Sequence, residues 1–311
     1  MSDAAKSTLS HPPSGVLNLR GPASPMLASE SEPKNQLLSA DRIIISQPWG
    51  GLGDNLQFST LPELFHQVGI PTYVSTQNAY RNAEIQELVW KMNPYISGFS
   101  DDPPNAGAIR NAYLPFSNKL AFIERIEAAH DLKPANRFPK VYYEPQQIKG
   151  VQDLILVDLG SVSFRSSHKD LTQFLRTISA EYEPDKERYR EVRFASVVSP
   201  QQKLRFPELQ THDVANIFEY CDALYSCKAF LTVHSGAQSL AVALRHKRPD
   251  MGIYCCCTVN QYNGKGYIYD NVRYHIVDHE NSALHQLVNH PKRLARNAAR
   301  QILGRGLTWP L

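Results

Sequence analysis

The sequence has no long apolar run and almost no net charge. No stretch approaches the roughly 18 to 20 continuous apolar residues of a membrane span, and the beginning of the chain lacks the apolar stretch of a signal peptide. We therefore expect a cytoplasmic protein. The 33 basic and 30 acidic residues leave a net charge of +3, which gives no overall field that would favour nucleic acid. Small molecules and sugars remain as ligands.

Cysteine is scarce and unpaired. The five cysteines are an odd number, and three of them are consecutive at positions 255 to 257, which fits neither a disulfide framework nor a pair of CxxC zinc motifs. We expect reduced thiols in a buried strand. The eleven histidines show no HExxH motif, and the adjacent acids Asp101 and Asp102 lie in a proline-rich segment rather than in an Asp-x-Asp motif. The sequence predicts no metal site and no bound cofactor.

The length of 311 residues is about twice that of a typical domain, which favours two domains. A hydrophobic fraction of 42% is enough for a sizeable core. The first forty residues contain eight serines and five prolines without apolar periodicity, which is typical of flexible tails. We predict a disordered tail at 1–40, an N-terminal domain at 41–149, a C-terminal domain at 150–290 and a C-terminal helix at 291–311 that packs across both domains.

Strands and helices alternate along the ordered part of the chain. The β-branched run Arg42–Pro48 indicates a buried strand, and three glycines then lead into a helical pattern from Leu56 to Val68. Near Gly150 the pattern restarts with the apolar run Leu154–Leu159. Further strands are predicted at Thr72–Ser75, Tyr95–Phe99, Val192–Val198, Phe230–Val233 and Met251–Cys256, and further helices at Asn82–Met92, Lys119–His130, Lys169–Tyr182, Asp213–Cys227 and Ala237–Leu244.

This alternation implies parallel sheets joined by right-handed crossovers, and the restart implies two such sheets. We predict an α/β fold of two Rossmann-like doubly wound domains that face a cleft. The active site is expected in that cleft, at the carboxyl ends of the strands.

The first glycine turn, Trp49–Asn55, leaves a strand and enters a helix. Its glycines allow a ligand to approach the backbone, and free amides at a helix start suit anionic or polar groups. It is not a P-loop, because the Gly-Lys-Ser/Thr ending is absent. It is not a dinucleotide fingerprint either, because Leu56 stands where the third glycine belongs. Asp54 fits two roles that can hold together, a helix cap and a general base that deprotonates an acceptor hydroxyl.

The second glycine turn, Val233–Ser239, has the same strand-turn-helix context. Free amides at Gly236 and the hydroxyls of Ser235 and Ser239 can hold a diphosphate. His234 is a candidate contact to a sugar or a phosphate. The alternative is an ordinary strand-to-helix connection with a serine cap and a structural histidine.

Two segments resemble the heptosyltransferase-like glycosyltransferases of family nine, which have the GT-B architecture. The segment GGLGDNLQFSTLPELF, at 50–65, is similar to their N-terminal signature, a GxLGD turn followed by an apolar helix that contains Leu-Pro. The segment IFEYCDALYSCKAFLTVHSGAQSLAVAL, at 217–244, is similar to their second signature of helix, strand, short glycine turn and apolar helix. The order and separation of the two segments fit the whole ordered chain.

The resemblance implies inverting, metal-independent transfer of a sugar from a nucleoside diphosphate donor to a hydroxyl of a glycan, lipopolysaccharide or protein. It places the catalytic base at Asp54, in a substrate-binding turn that includes Gly51, Gly53 and Asn55. The donor-binding turn falls on His234–Ser239. The donor belongs to the C-terminal half and the acceptor to the N-terminal half.

Two positions beside the donor depart from the family pattern. The family usually has aspartate where this chain has His234, and histidine where it has Ser239, so the resemblance does not define heptose as the donor sugar. In the loop after the strand Leu154–Leu159, the family has a lysine that contacts the donor phosphate, and Lys169 with Arg165 can take its place. Neutralising the charge of the leaving diphosphate is what a metal-free site requires. The alternative for both residues is a solvated basic loop.

The basic segment Pro291–Arg305 has two interpretations. It can rest as an amphipathic helix on the anionic inner surface of the membrane beside a lipid-linked acceptor, or it can pack across the two domains, which we favour. Two other functions stay open for the chain. One is a nicotinamide-dependent enzyme on paired Rossmann domains, and the other is a non-catalytic carbohydrate-binding or scaffold protein of the same fold.

Overall fold

The structure is a computed structural model of the chain, and it describes residues 36–115, 119–160, 168–182, 184–194, 206, 208–263 and 266–277. Within these ranges, the strands form one four-stranded and one six-stranded sheet. All neighbouring strands are parallel. The predicted α/β fold with two Rossmann-like halves is therefore confirmed.

The first sheet contains β1 (Ile43–Ser46), β2 (Thr72–Ser75), β3 (Ile96–Ser100) and β4 (Ala106–Gly107). Their order across the sheet is β3-β2-β1-β4. The isoleucines of β1 are buried, as expected for a parallel strand that is covered on both faces. The order reverses between β1 and β4, and ligands of such sheets bind in the crevice at the carboxyl ends on either side of that point.

The second sheet contains β5 (Ile155–Asp158), β6 (Tyr189–Phe194), β7 (Gln210–Val214), β8 (Ala229–Val233), β9 (Gly252–Thr258) and β10 (Arg273–Val277). The order β7-β6-β5-β8-β9-β10 is the 3-2-1-4-5-6 order of dinucleotide-binding domains, with its switch point between β5 and β8. Cys255, Cys256 and Cys257 lie in β9, free and buried. The expected position of these thiols in a buried strand is confirmed.

The helix predicted from Leu56 to Val68 is wrong as a single element. The chain forms α1 (Leu52–Leu56) and α2 (Leu61–Gln67), with Pro62 in the first turn of the second helix. Proline has no N–H to donate, so it suits a first turn and not a helix interior. The other helices of this half are α3 (Ala83–Gln86), which continues as a π-helical turn over Glu87–Lys91, and α4 (Phe122–Ala129).

The helix predicted from Asp213 begins later than expected. Asp213 and Val214 end β7, and Asn216 accepts hydrogen bonds from the N–H groups of Phe218 and Glu219 at 2.9 and 3.0 Å. A short polar side chain at this position defines the helix start. The helices of the second half are α5 (His168–Glu181), α6 (Ile217–Ser226), α7 (Gly236–Arg245) and α8 (Val259–Asn263).

The two halves share one apolar core. Phe58 and Leu61 of the first half belong to the same buried cluster as Leu240 of the second. The connecting segment adds a polar contact, in which the Tyr143 hydroxyl donates to Asp222 at 2.9 Å. The described residues of the two halves are therefore packed directly against each other.

Both ends of the predicted domain layout fall wholly or partly outside the described residues. Of the predicted tail 1–40, residues 1–35 are outside, whereas Leu37 is 2% exposed and its N–H donates to Asp131 at 3.3 Å. Folded structure thus begins before residue 41. The predicted C-terminal helix at 291–311, with its two interpretations, lies outside the described residues.

β4 follows the proline-rich segment of Asp101 and Asp102, where the sequence analysis predicts no strand, and a buried histidine holds it in place. The N–H of Gly107 donates to Nε2 of His130 at 2.9 Å, and Nδ1 of His130 lies 2.7 Å from the carbonyl of Ile126. His130 is 1% exposed. Because one nitrogen accepts and the other donates, the ring is neutral with its proton on Nδ1.

Acid is expected to destabilise the fold through His130. Burial lowers the pKa of His130 to about 4 from 6.5, so the unfolded chain binds a proton in this window and the folded chain does not. The stabilisation is complete above pH 6.5 and lost as the pH falls to 4, with a total of about 3 kcal/mol. Urea unfolding at pH 7.5 and pH 5 measures this slope.

His130→Gln should flatten the pH dependence, because it removes the titrating group. His246→Gln serves as the matched control, because His246 is exposed at the end of α7. It should leave the pH dependence of the unfolding free energy unchanged. An equal slope in the His130 variant and the wild type would contradict the assignment.

Candidate active site

The two glycine turns meet where the halves join. A Cβ added to Gly236 would lie 2.7 Å from the nitrogen of Gly53, and a Cβ added to Gly53 would lie 3.1 Å from the Cα of Gly236. The distance at Gly236 is too short for a side chain, and the distance at Gly53 is tighter than an ordinary van der Waals contact. Gly53 lies in α1, which follows β1, and Gly236 begins α7, which follows β8. The carboxyl ends of the two sheets therefore face one another here.

Asp54 occupies the third position of α1, whose N-cap is Gly51. Its carboxylate accepts a hydrogen bond from the backbone of Gly51 and another from the hydroxyl of Tyr267, at 2.9 Å from Oδ1. A third-position acid that reaches back to the N-cap amide is a helix-capping contact. Burial raises the pKa of Asp54, while the bonds from Tyr267 and Gly51 and the charge of Arg81 oppose that rise. The carboxylate is thus in a cap position and also at the junction.

Asn55 lies beneath the turn in the core. It is 0% exposed, and its Nδ2 donates to the carbonyl of Gly51 at 3.0 Å. Its Oδ1 accepts from Trp90 Nε1 at 2.8 Å and from Asn78 Nδ2 at 3.1 Å. The sequence predicts Asn55 as a substrate ligand. The structure instead gives it a supporting position, because both ends of its amide are used within the protein.

His234 holds a loop of the second half over the junction. Its Nε2 lies 2.9 Å from the carbonyl of Gly266, and its ring meets the ring of Tyr267 edge-on at a centroid distance of 5.6 Å. Burial lowers the pKa of His234, which favours the neutral ring. Because Nε2 faces the carbonyl oxygen of Gly266, the proton of the neutral ring is on Nε2. His234 lies at the start of the second glycine turn, and its Nε2 bonds to the protein's own backbone, so its predicted contact with a sugar or a phosphate stays a prediction.

The two serines of the second turn differ in their surroundings. Ser235 is the N-cap of α7, but its side chain makes no capping bond, and its buried Oγ has no hydrogen-bond partner among the described residues. Ser239 is 0% exposed and shares a hydrogen bond with the hydroxyl of Tyr269 at 3.0 Å. Ser235 therefore has bonding capacity left for a ligand, while Ser239 already has a protein partner.

Comparisons with known proteins identify the fold alone. No protein-family model matches the chain, and no curated protein matches it. The crystal structure of the iron-containing dodecameric glycosyltransferase TibC from enterotoxigenic E. coli H10407 is similar, with a TM-score of 0.51 and 12% identity over 83% of this chain and 77% of that chain. The chain has a GT-B fold. The resemblance noted from the two glycine-turn segments is confirmed at the level of the fold.

Other solved structures are similar to the chain at lower TM-scores. A family nine glycosyltransferase from Veillonella parvula has a TM-score of 0.49 and 10% identity over 82% of this chain and 90% of that chain. The E. coli heptosyltransferase WaaC with ADP has a TM-score of 0.47 and 10% identity over 83% of this chain and 99% of that chain.

Of the two basic residues predicted to contact the donor phosphate, the structure describes Lys169 but not Arg165. Arg165 lies outside the described residues. Lys169 is exposed in the first turn of α5, the helix that follows β5. Because β5 and β8 are neighbours, with Asp158 paired to Thr232, the loop after β5 and the turn after β8 leave the same edge of the sheet.

Tyr267 and Arg81 belong to the site although the sequence analysis did not select them. Tyr267 ends the Gly-Lys-Gly-Tyr sequence after β9, a turn signal at the same sheet edge. Arg81 follows β2, and its N–H donates to the carbonyl of Gly50 at 2.8 Å. A Cβ on Gly50 would lie 2.8 Å from that nitrogen, so the glycine permits this approach.

The described part of the GT-B fold has neither a metal-binding cluster nor a helix that could span a membrane. No group of three or more His, Cys, Asp or Glu side chains in those ranges is arranged to hold a metal ion. Among the helices that the structure describes, none has the length and apolar character needed to cross a membrane. The iron of TibC is a property of that protein.

Proposed function

We propose that the chain is an inverting glycosyltransferase that moves a sugar from a nucleoside diphosphate to a hydroxyl group without a metal ion. One observation carries the proposal. The Asp54 carboxylate of one half and the Ser235 hydroxyl of the other, which has no hydrogen-bond partner within the described ranges, belong to turns that touch through Gly53 and Gly236. A candidate base for the acceptor and a polar cradle for the donor are therefore adjacent, in a fold shared with the glycosyltransferase TibC.

We propose that the donor diphosphate binds at the start of α7. The helix is ten residues long, and the amides of its first turn, residues 236–238, have no carbonyl partner within the helix. These amides and the helix dipole favour a negatively charged group. The Ser235 hydroxyl adds a hydrogen-bond donor. Lys169, in the first turn of α5 after the neighbouring strand β5, adds positive charge. The acceptor is a hydroxyl of a glycan, a lipid-linked saccharide or a protein, bound against the first half.

The reaction needs a single displacement. The acceptor oxygen attacks the anomeric carbon from the face opposite the diphosphate, and the bond between that carbon and the phosphate oxygen breaks. The bonding electrons leave with the nucleoside diphosphate, the acceptor proton passes to Asp54, and the configuration inverts. Because burial raises the pKa of Asp54, the carboxylate is a stronger base than an exposed aspartate.

A nicotinamide-dependent enzyme is the second candidate, because the six-stranded sheet has the strand order of dinucleotide-binding domains. In such a domain the glycine fingerprint follows the first strand of the sheet, which here is β5. The sequence after β5 has Gly160 and then no glycine through Lys169. The fingerprint that would hold a dinucleotide pyrophosphate is therefore missing from its expected place.

A thermal-shift screen of nucleoside diphosphates tests the proposed function. A nucleotide present at about 100 times its dissociation constant stabilises the folded state by about 2.7 kcal/mol. We expect one nucleoside diphosphate to raise the melting temperature by roughly 5 °C, and NADH to raise it little. A shift with NADH alone, or with no nucleotide, would contradict the proposal.

Two serine variants make the screen specific for the second turn. Ser235→Ala should reduce the nucleotide-induced shift while leaving the melting temperature of the free protein unchanged, because that hydroxyl has no described protein partner. Ser239→Ala is the matched comparison. It should lower the melting temperature of the free protein, because it breaks the buried bond to Tyr269.

A further inference from the structure

Tyr267 reaches from the second half to the carboxylate of the first. Its backbone has a φ of +57°, a left-handed conformation that is costly for a bulky side chain and is maintained only where surrounding contacts enforce it. Such strained residues cluster at functional sites. The conformation directs the phenol toward α1, where its hydroxyl lies 2.9 Å from Oδ1 of Asp54.

Four contacts hold Tyr267 in this position. His234 bonds to the carbonyl of the preceding residue, Gly266, at 2.9 Å. Gln238, which is 0% exposed, donates from Nε2 to the carbonyl of Tyr267 at 3.0 Å. The phenol ring packs against Phe122 at a centroid distance of 5.3 Å and against His234 at 5.6 Å. Three of these contacts come from the second glycine turn and α7, so the donor half of the proposed site fixes the tyrosine.

The groups facing Asp54 come from four elements. The carboxylate meets Gly51 at the start of its own helix, Arg81 after β2 and the hydroxyl of Tyr267. His234, after β8, lies behind the phenol. Of these contacts, the hydrogen bond from the Tyr267 hydroxyl comes from a side chain that the second glycine turn holds in place.

We propose that Tyr267 is a positioning residue, whose hydroxyl orients the Asp54 carboxylate toward the acceptor and makes that orientation depend on contact between the two halves. The inference rests on the proposed function, since it assigns the base role to Asp54. It links the donor turn to the base through His234, Gln238 and Tyr267. Packing of the second half on the first holds the hydroxyl at Oδ1 and leaves the other lone pairs of the carboxylate for the acceptor proton.

Tyr267→Phe tests the inference by removing one oxygen while keeping the ring and its packing. The hydrogen bond from Tyr267 lowers the pKa of Asp54 against the effect of burial, so its loss should move the acidic limb of the kcat/KM profile to higher pH. Above that limb, where the carboxylate is ionised in both proteins, kcat should still fall about 10-fold to 100-fold, as for the loss of a hydrogen bond to a charged group. KM for the donor should change less than about twofold, because the hydroxyl does not bind the donor.

A carbon-detected NMR titration of the Asp54 carboxyl gives a readout independent of activity. The signal is assigned by its absence in Asp54→Asn, and its midpoint should lie at higher pH in Tyr267→Phe than in the wild type. Tyr262→Phe is the matched control, since Tyr262 is a partly exposed tyrosine of α8 with a ring contact to Tyr274. It should change neither the midpoint nor kcat.

The outcomes separate this inference from the proposed function. An active wild type with an unchanged pH profile and unchanged kcat in Tyr267→Phe overturns the positioning role alone. Faster turnover in the variant also overturns it, because the phenol would then obstruct the acceptor. An inactive wild type with every donor tested rejects the proposed function, and the NMR midpoint then decides whether the hydroxyl still controls the carboxylate.

Discussion

Asp54→Asn is expected to lower kcat by about 10² to 10⁴-fold, the usual contribution of a general base. The amide has nearly the shape of the carboxylate and its oxygen can still accept from Tyr267, but it cannot take the acceptor proton. Donor affinity should stay within about twofold of the wild type, because the proposed diphosphate position is on α7 and not on α1. Release of nucleoside diphosphate in the presence of acceptor measures kcat, and calorimetric titration measures donor affinity.

Asp102→Asn is the control for Asp54→Asn. Asp102 is half exposed and pairs with Arg42 at 3.0 Å beyond the end of β3, so its loss should leave kcat unchanged. Wild-type turnover in Asp54→Asn would remove Asp54 from the role of base. A loss of donor binding equal to the loss of turnover would indicate instead that the carboxylate contributes to the donor site.

Gly107→Ala is expected to destabilise the fold by more than about 3 kcal/mol. Gly107 has a φ of +92°, which costs an alanine about 1 to 3 kcal/mol. A Cβ there would also run into the carbonyl of Ser46 and lie 2.9 Å from the nitrogen of the same residue. Since this backbone is β1, paired with β4, it cannot yield without loss of the sheet. Urea unfolding of the purified variant measures the change in free energy.

Gly150→Ala is the control that separates the cost of a positive φ from the cost of the steric clash with Ser46. Gly150 has a φ of +84°, and a Cβ there would meet no atom within 4 Å. The variant should therefore lose only the conformational part, about 1 to 2 kcal/mol. If Gly107→Ala were no more destabilised than Gly150→Ala, the collision with β1 would not be a real constraint on the fold.

Local patterns predicted the fold class and both turns well. The isoleucine run of β1 and the apolar run of β5 are buried on both faces, so continuous hydrophobicity marked them. Each is the strand that begins a strand-turn-helix segment, and the apolar pattern and the glycines of such a segment are close together in the sequence. β2, at Thr72–Ser75, was predicted to the residue.

The elements that sequence reasoning missed depend on distant partners. β4 is only Ala106–Gly107, and it is a strand because β1 pairs with it and His130 bonds to Gly107. β7 has only one buried residue, Val214, and therefore carries little apolar signal. No local pattern distinguishes such segments from loops.

The candidate site divides in the same way. Asp54 and Ser235 were selected because each lies in a glycine turn after a buried strand, and their roles stay predictions. Asn55 was given a substrate role because the sequence does not reveal that Trp90 and Asn78 occupy its amide. Tyr267 lies 213 positions from Asp54, and no spacing rule connects them. Only the packing of the two halves brings the phenol to the carboxylate.

Hydrogen exchange at the start of α7 tests the central claim most directly. The amides of residues 236–238 have no partner within the helix and should exchange quickly in the free protein. At saturation with the nucleoside diphosphate that gives the largest thermal shift, we expect slowed exchange in the segment 235–238. Saturation that leaves exchange in this segment unchanged, with protection elsewhere in the chain, would contradict the placement of the donor on the second glycine turn.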